Sequence, residues 1–134
     1  MTAETPLIAV ENLTKHFPVG GGAVVHAVEK VSLAVGHRET LAVVGESGCG
    51  KSTLAHLMIR LLKPTSGTIN LDGTDITSMS NRAMRTHRRK LQIIFQDPFA
   101  SLDPRRPVGK AVAEPLIVHG LAKDIDVDET VAEL

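Results

Sequence analysis

Eight consecutive residues constrain the fold of this 134-residue chain more than any other feature. Residues 45–52 read GESGCGKS and fit the pattern G-x-x-x-x-G-K-[ST] at every fixed position. The apolar run at residues 40–44 precedes them and is typical of a strand buried on both faces of a parallel sheet. A stripe with helical spacing follows them and consists of Leu54, Leu57, Met58, Leu61 and Leu62. The pattern predicts a strand, a glycine-rich turn and a helix that ends before Pro64.

A turn of this kind binds phosphate for physical reasons. Gly45 and Gly50 permit tight curvature, so successive backbone N–H groups point inward as a site for an anion. The dipole of the helix that begins near Lys51 adds positive potential at the same point. We expect Lys51 to contact the β- and γ-phosphates, Ser52 to bind Mg²⁺ and Thr53 to bond an α-phosphate oxygen. The predicted phosphate-binding residues are Gly45, Glu46, Ser47, Gly48, Cys49, Gly50, Lys51, Ser52 and Thr53.

Composition excludes several other classes of protein. Fifteen Lys+Arg balance fifteen Asp+Glu, which argues against a generally basic nucleic-acid binder. The five cations within residues 82–90 are therefore interpreted as a solvated helix face. Cys49 is the one cysteine, so no internal disulfide forms, and we expect it to be a bystander in the loop rather than a nucleophile. No apolar run approaches the ~18 residues that span a bilayer, so we expect a chain that is neither exported nor membrane-spanning.

The remaining periodicity completes an α/β pattern. Short apolar or alternating segments predict strands, and stripes with acidic or serine starts predict helices. The turn dipeptide at residues 72–73 predicts a hairpin. In chain order, the other predicted elements are strands at residues 7–17, 24–35, 68–71 and 91–95, a short helix after Ser80, a helix at 107–119 interrupted or bent at Pro115, and a helix at 124–134, with loops at 20–22 and 97–104.

Three further segments accompany the phosphate loop. Residues 94–98 read IFQDP, residues 100–105 read ASLDPR and residues 113–116 read AEPL. With these segments the chain resembles the ATPase subunits of ATP-binding-cassette (ABC) transporters, in particular the oligopeptide and dipeptide importer branch. The resemblance covers nearly the whole chain and implies the N-terminal portion of a P-loop NTPase. It implies a β-rich part at residues 1–39, a core from Walker A to Q-loop at 40–96, and the start of a helical subdomain at 97–134.

The resemblance also implies roles for individual side chains. Gln96 would be the Q-loop glutamine, which touches Mg²⁺ or the attacking water and reports the nucleotide state to membrane-embedded partners. Gln96 and Lys51 are thus the implied catalytic residues, and Gln96 and Ser52 the implied metal ligands. Phe17 resembles the aromatic residue that stacks on adenine, and a core position at a strand end is the alternative. The implied cofactors are ATP and Mg²⁺.

The signature sequence, the Walker B strand with its catalytic glutamate and the switch histidine of the family have no counterpart in this chain. We therefore expect an incomplete importer ATPase that binds Mg-ATP with negligible turnover. The implied partners are a second ATPase subunit and integral membrane permease subunits, without nucleic acid, at the cytoplasmic face of the cell membrane. Two alternatives stay open, a small kinase with Asp97 as metal ligand and a non-hydrolytic interaction module. Importers of dipeptides, oligopeptides, nickel and glutathione share these motifs, so the solute stays open as well.

Overall fold

The computed structural model describes residues 5–97 and 102–133, and the chain divides into two compact units, Met1–Ser80 and Asn81–Leu134. The first unit combines an antiparallel sheet with one helix, and the second is helical. The helices and strands of the two units, in chain order, are β1 (Ile8–Pro18), β2 (Val24–Val35), α1 (Lys51–Met58), β3 (Ser66–Leu71), β4 (Thr74–Asp75), α2 (Asn81–His87), α3 (Val108–Val118) and α4 (Val127–Glu133). Short 3-10 turns lie at Gly20–Gly22, Arg88–Lys90 and Leu121–Lys123. No helix in the described ranges is both long and apolar enough to cross a bilayer.

The sheet of the first unit has four strands in the order β2-β1-β3-β4, so β1 is an inner strand. The predicted strands at residues 7–17, 24–35 and 68–71 are confirmed. The predicted turn between β3 and β4 is confirmed as well. Asp72 and Gly73 have φ values of +51° and +75°, the left-handed conformation that a two-residue hairpin requires at both positions.

The core of the first unit lies between the sheet and α1. Leu54 and Leu57 are buried on α1, and Val10, Leu13 and Ile69 are buried on the strands. Each of these aliphatic side chains contributes roughly 1.5–3 kcal/mol when it is fully removed from water. Burial of one stripe therefore fixes which face of α1 meets the sheet, as the sequence pattern predicts.

The helix ends one turn earlier than its apolar stripe predicts. Arg60 has a φ of +56°, and the N–H groups of Arg60 and Leu61 donate to the carbonyls of Leu57 and His56, 2.8 Å in each case. This is the Schellman pattern, which terminates a helix at a left-handed residue. The buried Arg60 side chain donates from Nε to the Ile76 carbonyl, 2.9 Å away, so the unusual conformation is held by a tertiary contact. Leu61 consequently lies outside the helix and is 51% exposed.

Two predicted strands are absent from the described structure. Residues 40–44 and 91–95 are irregular, and Val44 and Ile94 are 87% and 98% exposed. Both strand predictions are wrong here because a strand needs a neighbour for its backbone hydrogen bonds, and no strand within residues 5–97 and 102–133 pairs with either segment.

The second unit begins at α2. Met84 of α2 and Ala113 of α3 are buried, and the Arg85 guanidinium donates to the Val118 carbonyl over 2.6 Å. The predicted helix over residues 107–119 is confirmed as α3. Of the two outcomes predicted at Pro115, the interruption is wrong, because α3 runs through this residue, and the bend stays a prediction. The predicted terminal helix is confirmed as α4. Asp126 caps α4, because its Oδ1 accepts the N–H groups two and three residues later.

The loop predicted at residues 97–104 falls partly outside the described residues. Residues 98–101 and Leu134 lie there, together with the first four residues of the chain. Residues 102–104, the other described part of this predicted loop, form neither helix nor strand, as the sequence predicts.

Candidate functional site

The glycine-rich loop at residues 45–50 is exposed up to Cys49, becomes half-buried at Gly50 and leads directly into α1. Gly48 and Gly50 are left-handed, with φ values of +83° and +95°. A Cβ on Gly50 would lie 2.1 Å from the Ala27 carbonyl oxygen of β2. Two independent features therefore require glycine at position 50: the left-handed backbone conformation and the close approach of the loop to the sheet.

The Lys51 side chain lies within the curve of this loop. Its Nζ donates to the carbonyl oxygens of Gly45 and Glu46, 2.8 and 2.6 Å away, and also lies 3.6 Å from the Cys49 sulfur. A lysine ammonium has three donors and no acceptor, so it works as a compact positive centre for any oxygen-rich ligand. The loop thus holds a positive charge close to its own main chain.

Cys49 has a packing role in the loop. A Cβ on Gly45 would lie 2.7 Å from the Cys49 sulfur, so the thiol occupies the space that the missing side chain of Gly45 leaves. The thiol is free and exposed. This placement explains the residue by its size, and the bystander role expected from the sequence stays a prediction.

The N-terminus of α1 is open to an anion. Its N-cap is Gly50, which has no side chain to cap the helix, and the first bond of the ladder runs from the Leu54 N–H to the Gly50 carbonyl over 2.8 Å. The N–H groups of residues 51–53 therefore have no acceptor within the helix, and they carry the positive end of its dipole. Ser52 is exposed and Thr53 half-buried within this first turn.

A cavity of about 330 Å³ opens beside the loop. It is bordered by β2, by Val43 and Val44 and by the start of α1. Most of its lining is aliphatic, which suits the burial of apolar side chains rather than a polyphosphate. The lining therefore gives no reason to expect a phosphate chain inside this cavity.

Phe17 and Gln96 are the two remaining residues that the sequence assigns to the site. Phe17 is half-buried near the end of β1, opposite Val25, and the Lys15 Nζ lies 5.0 Å from its ring centroid. A half-buried ring at a strand end is compatible with either role considered for it, so adenine stacking stays a prediction. Gln96 is exposed in an irregular segment of the second unit, beside the exposed Asp97. Its Q-loop role stays a prediction.

Sequence reasoning missed one cluster of side chains that carry possible metal-ligand atoms. His16 on β1 and His26 and Glu29 on β2 bring their ligand atoms within 4.8 Å of one another. The imidazoles donate to the carboxylate and hold the pKa of Glu29 below its usual 4.5. To predict this cluster, one would need to know the pairing register of β1 and β2. The sequence of either strand alone does not specify that register.

Comparison with known proteins gives the same family as the resemblance carried by the glycine-rich loop. The profile of a family described as ABC transporter matches residues 28–134. A probable peptide ABC transporter ATP-binding protein of Sinorhizobium fredii is 51% identical over 116 residues, which are 82% of this chain and 33% of that protein. A glutathione import ATP-binding protein of Pectobacterium atrosepticum is 44% identical over a 135-residue alignment, covering 96% of this chain and 22% of that protein. The chain thus spans about a third or less of the length of these curated relatives.

A solved structure gives the same answer for the fold. The dimeric, post-hydrolysis state of the ATP-binding cassette MJ0796 bound to ADP and Pi matches with a TM-score of 0.71 at 28% identity. The match covers 84% of this chain and 47% of that one. It confirms the predicted α/β class of a phosphate-loop cassette, although two of the expected strands are not formed here.

Proposed function

The chain belongs to the ABC transporter family, and we propose that it forms the part of an importer ATPase that holds the phosphates of ATP. The observation that carries the proposal is the loop at residues 45–50, with a left-handed glycine against β2 and an uncapped helix behind it. The peptide and glutathione import relatives support peptide-like solutes as the cargo of the whole importer.

Phosphate binding by this loop follows from charge and geometry. The N–H groups at the start of α1 bind phosphate oxygens, and Lys51 exchanges main-chain carbonyl acceptors for the oxygens of the β- and γ-phosphates. A carbonyl is a neutral acceptor, whereas phosphate is charged, so the ammonium gains a stronger partner. We further propose that Phe17 stacks on the adenine ring.

The residues proposed to bind Mg²⁺ supply oxygen donors, the type of ligand that this ion prefers. The exposed Ser52 hydroxyl lies in the first turn of α1 and is the proposed ligand, with the Gln96 amide oxygen as the second. The ion supplies charge neutralisation on the phosphates when it is bound. Gln96 also suits a switch, because its amide can coordinate or release a ligand without a change of charge.

The wider assembly is part of the same proposal. A second ATPase subunit and integral membrane permease subunits are the proposed partners, at the cytoplasmic face of the cell membrane. The dimeric cassette MJ0796 and the importer relatives support this arrangement. Within the cassette, residues 1–39, 40–96 and 97–134 are proposed as the β-rich part, the Walker A to Q-loop core and the start of the helical subdomain. These 134 residues contain no counterpart of the signature sequence or the catalytic glutamate, so we propose Mg-ATP binding with negligible turnover.

A binding measurement with a matched lysine control tests the proposal. Mg-ATP is titrated into the purified protein, into Lys51→Ala and into Lys63→Ala, which removes an exposed lysine outside the loop. Loss of a charge-assisted contact costs about 1.5–3 kcal/mol, so Lys51→Ala should weaken binding by roughly 10-fold or more. Lys63→Ala should bind like the unmodified protein. Equal affinity of all three proteins would contradict the proposal, and so would sustained hydrolysis at a rate that Lys51→Ala leaves unchanged.

A further inference from the structure

A bulge in the pairing of β1 with β2 brings three side chains with possible metal-ligand atoms to one face of the sheet. His16 of β1 pairs directly with His26 of β2, whereas the preceding residue Lys15 pairs with Val28. One residue of β2, Ala27, is therefore extra at this point. Residues 26 and 29 of a regular strand would point to opposite faces, because side chains alternate with a period of two. The extra residue reverses the alternation and places Glu29 beside His26.

The atoms of this cluster converge on one point. The His16 Nε2 and the His26 Nδ1 lie 2.7 and 3.1 Å from the same oxygen, Oε2 of Glu29. The two imidazole rings are stacked at an angle, with 3.9 Å between their centroids. In a tetrahedral site with bonds of about 2.0–2.1 Å, neighbouring ligand atoms are roughly 3.3 Å apart. The two contacts to Oε2 differ from this separation by a few tenths of an ångström, and all the ligand atoms of the three groups lie within 4.8 Å of one another, so closure of the remaining distances would admit an ion between them.

The exposure and the charge of these three side chains also suit the binding of a metal ion. The side chains of His16, His26 and Glu29 are 27%, 60% and 49% exposed, so an ion can enter and water can complete its coordination. The Glu29 carboxylate is ionised at neutral pH, which is the form that binds metal, and each imidazole binds an ion through a nitrogen that has released its proton.

We propose that His16, His26 and Glu29 form a binding site for a divalent ion of the Zn²⁺ class. Two nitrogen donors and one carboxylate suit zinc and its borderline neighbours, whereas Mg²⁺ prefers oxygen donors alone. The site is separate from the residues proposed for the nucleotide and its Mg²⁺, and the inference does not rest on that proposal. A bound ion joins β1 to β2 at the residue that precedes Phe17.

Zinc titration with a chromophoric competitor tests the site. The unmodified protein is compared with His16→Gln, His26→Gln and Glu29→Gln. The control is His37→Gln, because the His37 Nε2 lies near a single carboxylate, 3.8 Å from Asp72 Oδ1. Each cluster variant should weaken zinc binding by more than about tenfold, since loss of even an outer partner of a ligand costs 10–100-fold. His37→Gln should bind zinc unchanged, and millimolar Mg²⁺ should not displace the ion.

Cys49 provides the arm of the experiment that can overturn the proposal, because thiolates also bind zinc. If Cys49→Ser abolishes zinc binding while His16→Gln retains it, the ion is held at the thiol and the proposal is wrong. Imidazole NMR signals of the unmodified protein give a second test that does not depend on the folding of a variant. The signals of His16 and His26 should shift together at one equivalent of zinc, and shifts confined to other histidines would also overturn the proposal.

Discussion

The loop at residues 45–50 and the segment at 91–97 carry the two motifs most important to the proposed ATPase, and they differ in how they are held. The loop is bounded by α1 and abuts β2 through Gly50, and its lysine is tied to two carbonyls. The segment at 91–97 has no regular structure, and Ile94 within it is 98% exposed. The loop depends on contacts that are local or lie against one nearby hairpin. A strand at 91–95 depends on a neighbouring strand, and the described residues provide none.

The largest expected effect follows from substitution of Gly50 in the loop. Gly50→Ala forces a Cβ to within 2.1 Å of the Ala27 carbonyl oxygen in a left-handed backbone. The conformation alone costs about 1–3 kcal/mol, and the overlap with a main-chain atom adds to it. We expect loss of Mg-ATP binding together with a lower midpoint in urea denaturation. Gly20→Ala is the control, because nothing lies within 4 Å of its added Cβ. Equal behaviour of the two variants would mean that the loop is not held against β2.

A smaller effect is expected at the helix behind the loop. Leu57 is fully buried and Leu61, on the same predicted stripe, is 51% exposed. Leu57→Ala should lower the free energy of unfolding by about 2–5 kcal/mol, whereas Leu61→Ala should cost clearly less. Chemical denaturation followed by circular dichroism measures both. Similar losses for the two variants would indicate that the helix continues beyond Met58 and buries the whole stripe.

The smallest effect is expected in the segment at 91–95. Ile94→Ser should change the free energy of unfolding by no more than about 0.5 kcal/mol, as for an exposed position without special contacts. The same denaturation experiment applies, with Leu57→Ala as the internal reference for a buried residue. A decrease in the free energy of unfolding of more than about 1 kcal/mol would show that the Ile94 side chain is packed. That result would favour the strand predicted from the sequence over the irregular segment.

The apolar runs at 40–44 and 91–95 show where sequence reasoning reaches its limit. Their composition is typical of buried strands, but burial requires partners on both sides. Val44 is 87% exposed for this reason. The early end of α1 is a second example. It rests on the left-handed Arg60, whose side chain reaches the carbonyl of Ile76, sixteen positions away, and no local pattern announces such a contact.

The sequence by itself determined the glycine-rich turn into α1, the strands β1 to β3, the hairpin at Asp72 and the terminal helices. These features depend on glycine backbone freedom, short-range periodicity and turn chemistry, which act between residues close in the chain. Only the tertiary structure decided which apolar runs find partners, where α1 stops, and that His16 meets His26 and Glu29. Those outcomes depend on strand register and on contacts between distant residues, and a single strand's sequence does not specify its register.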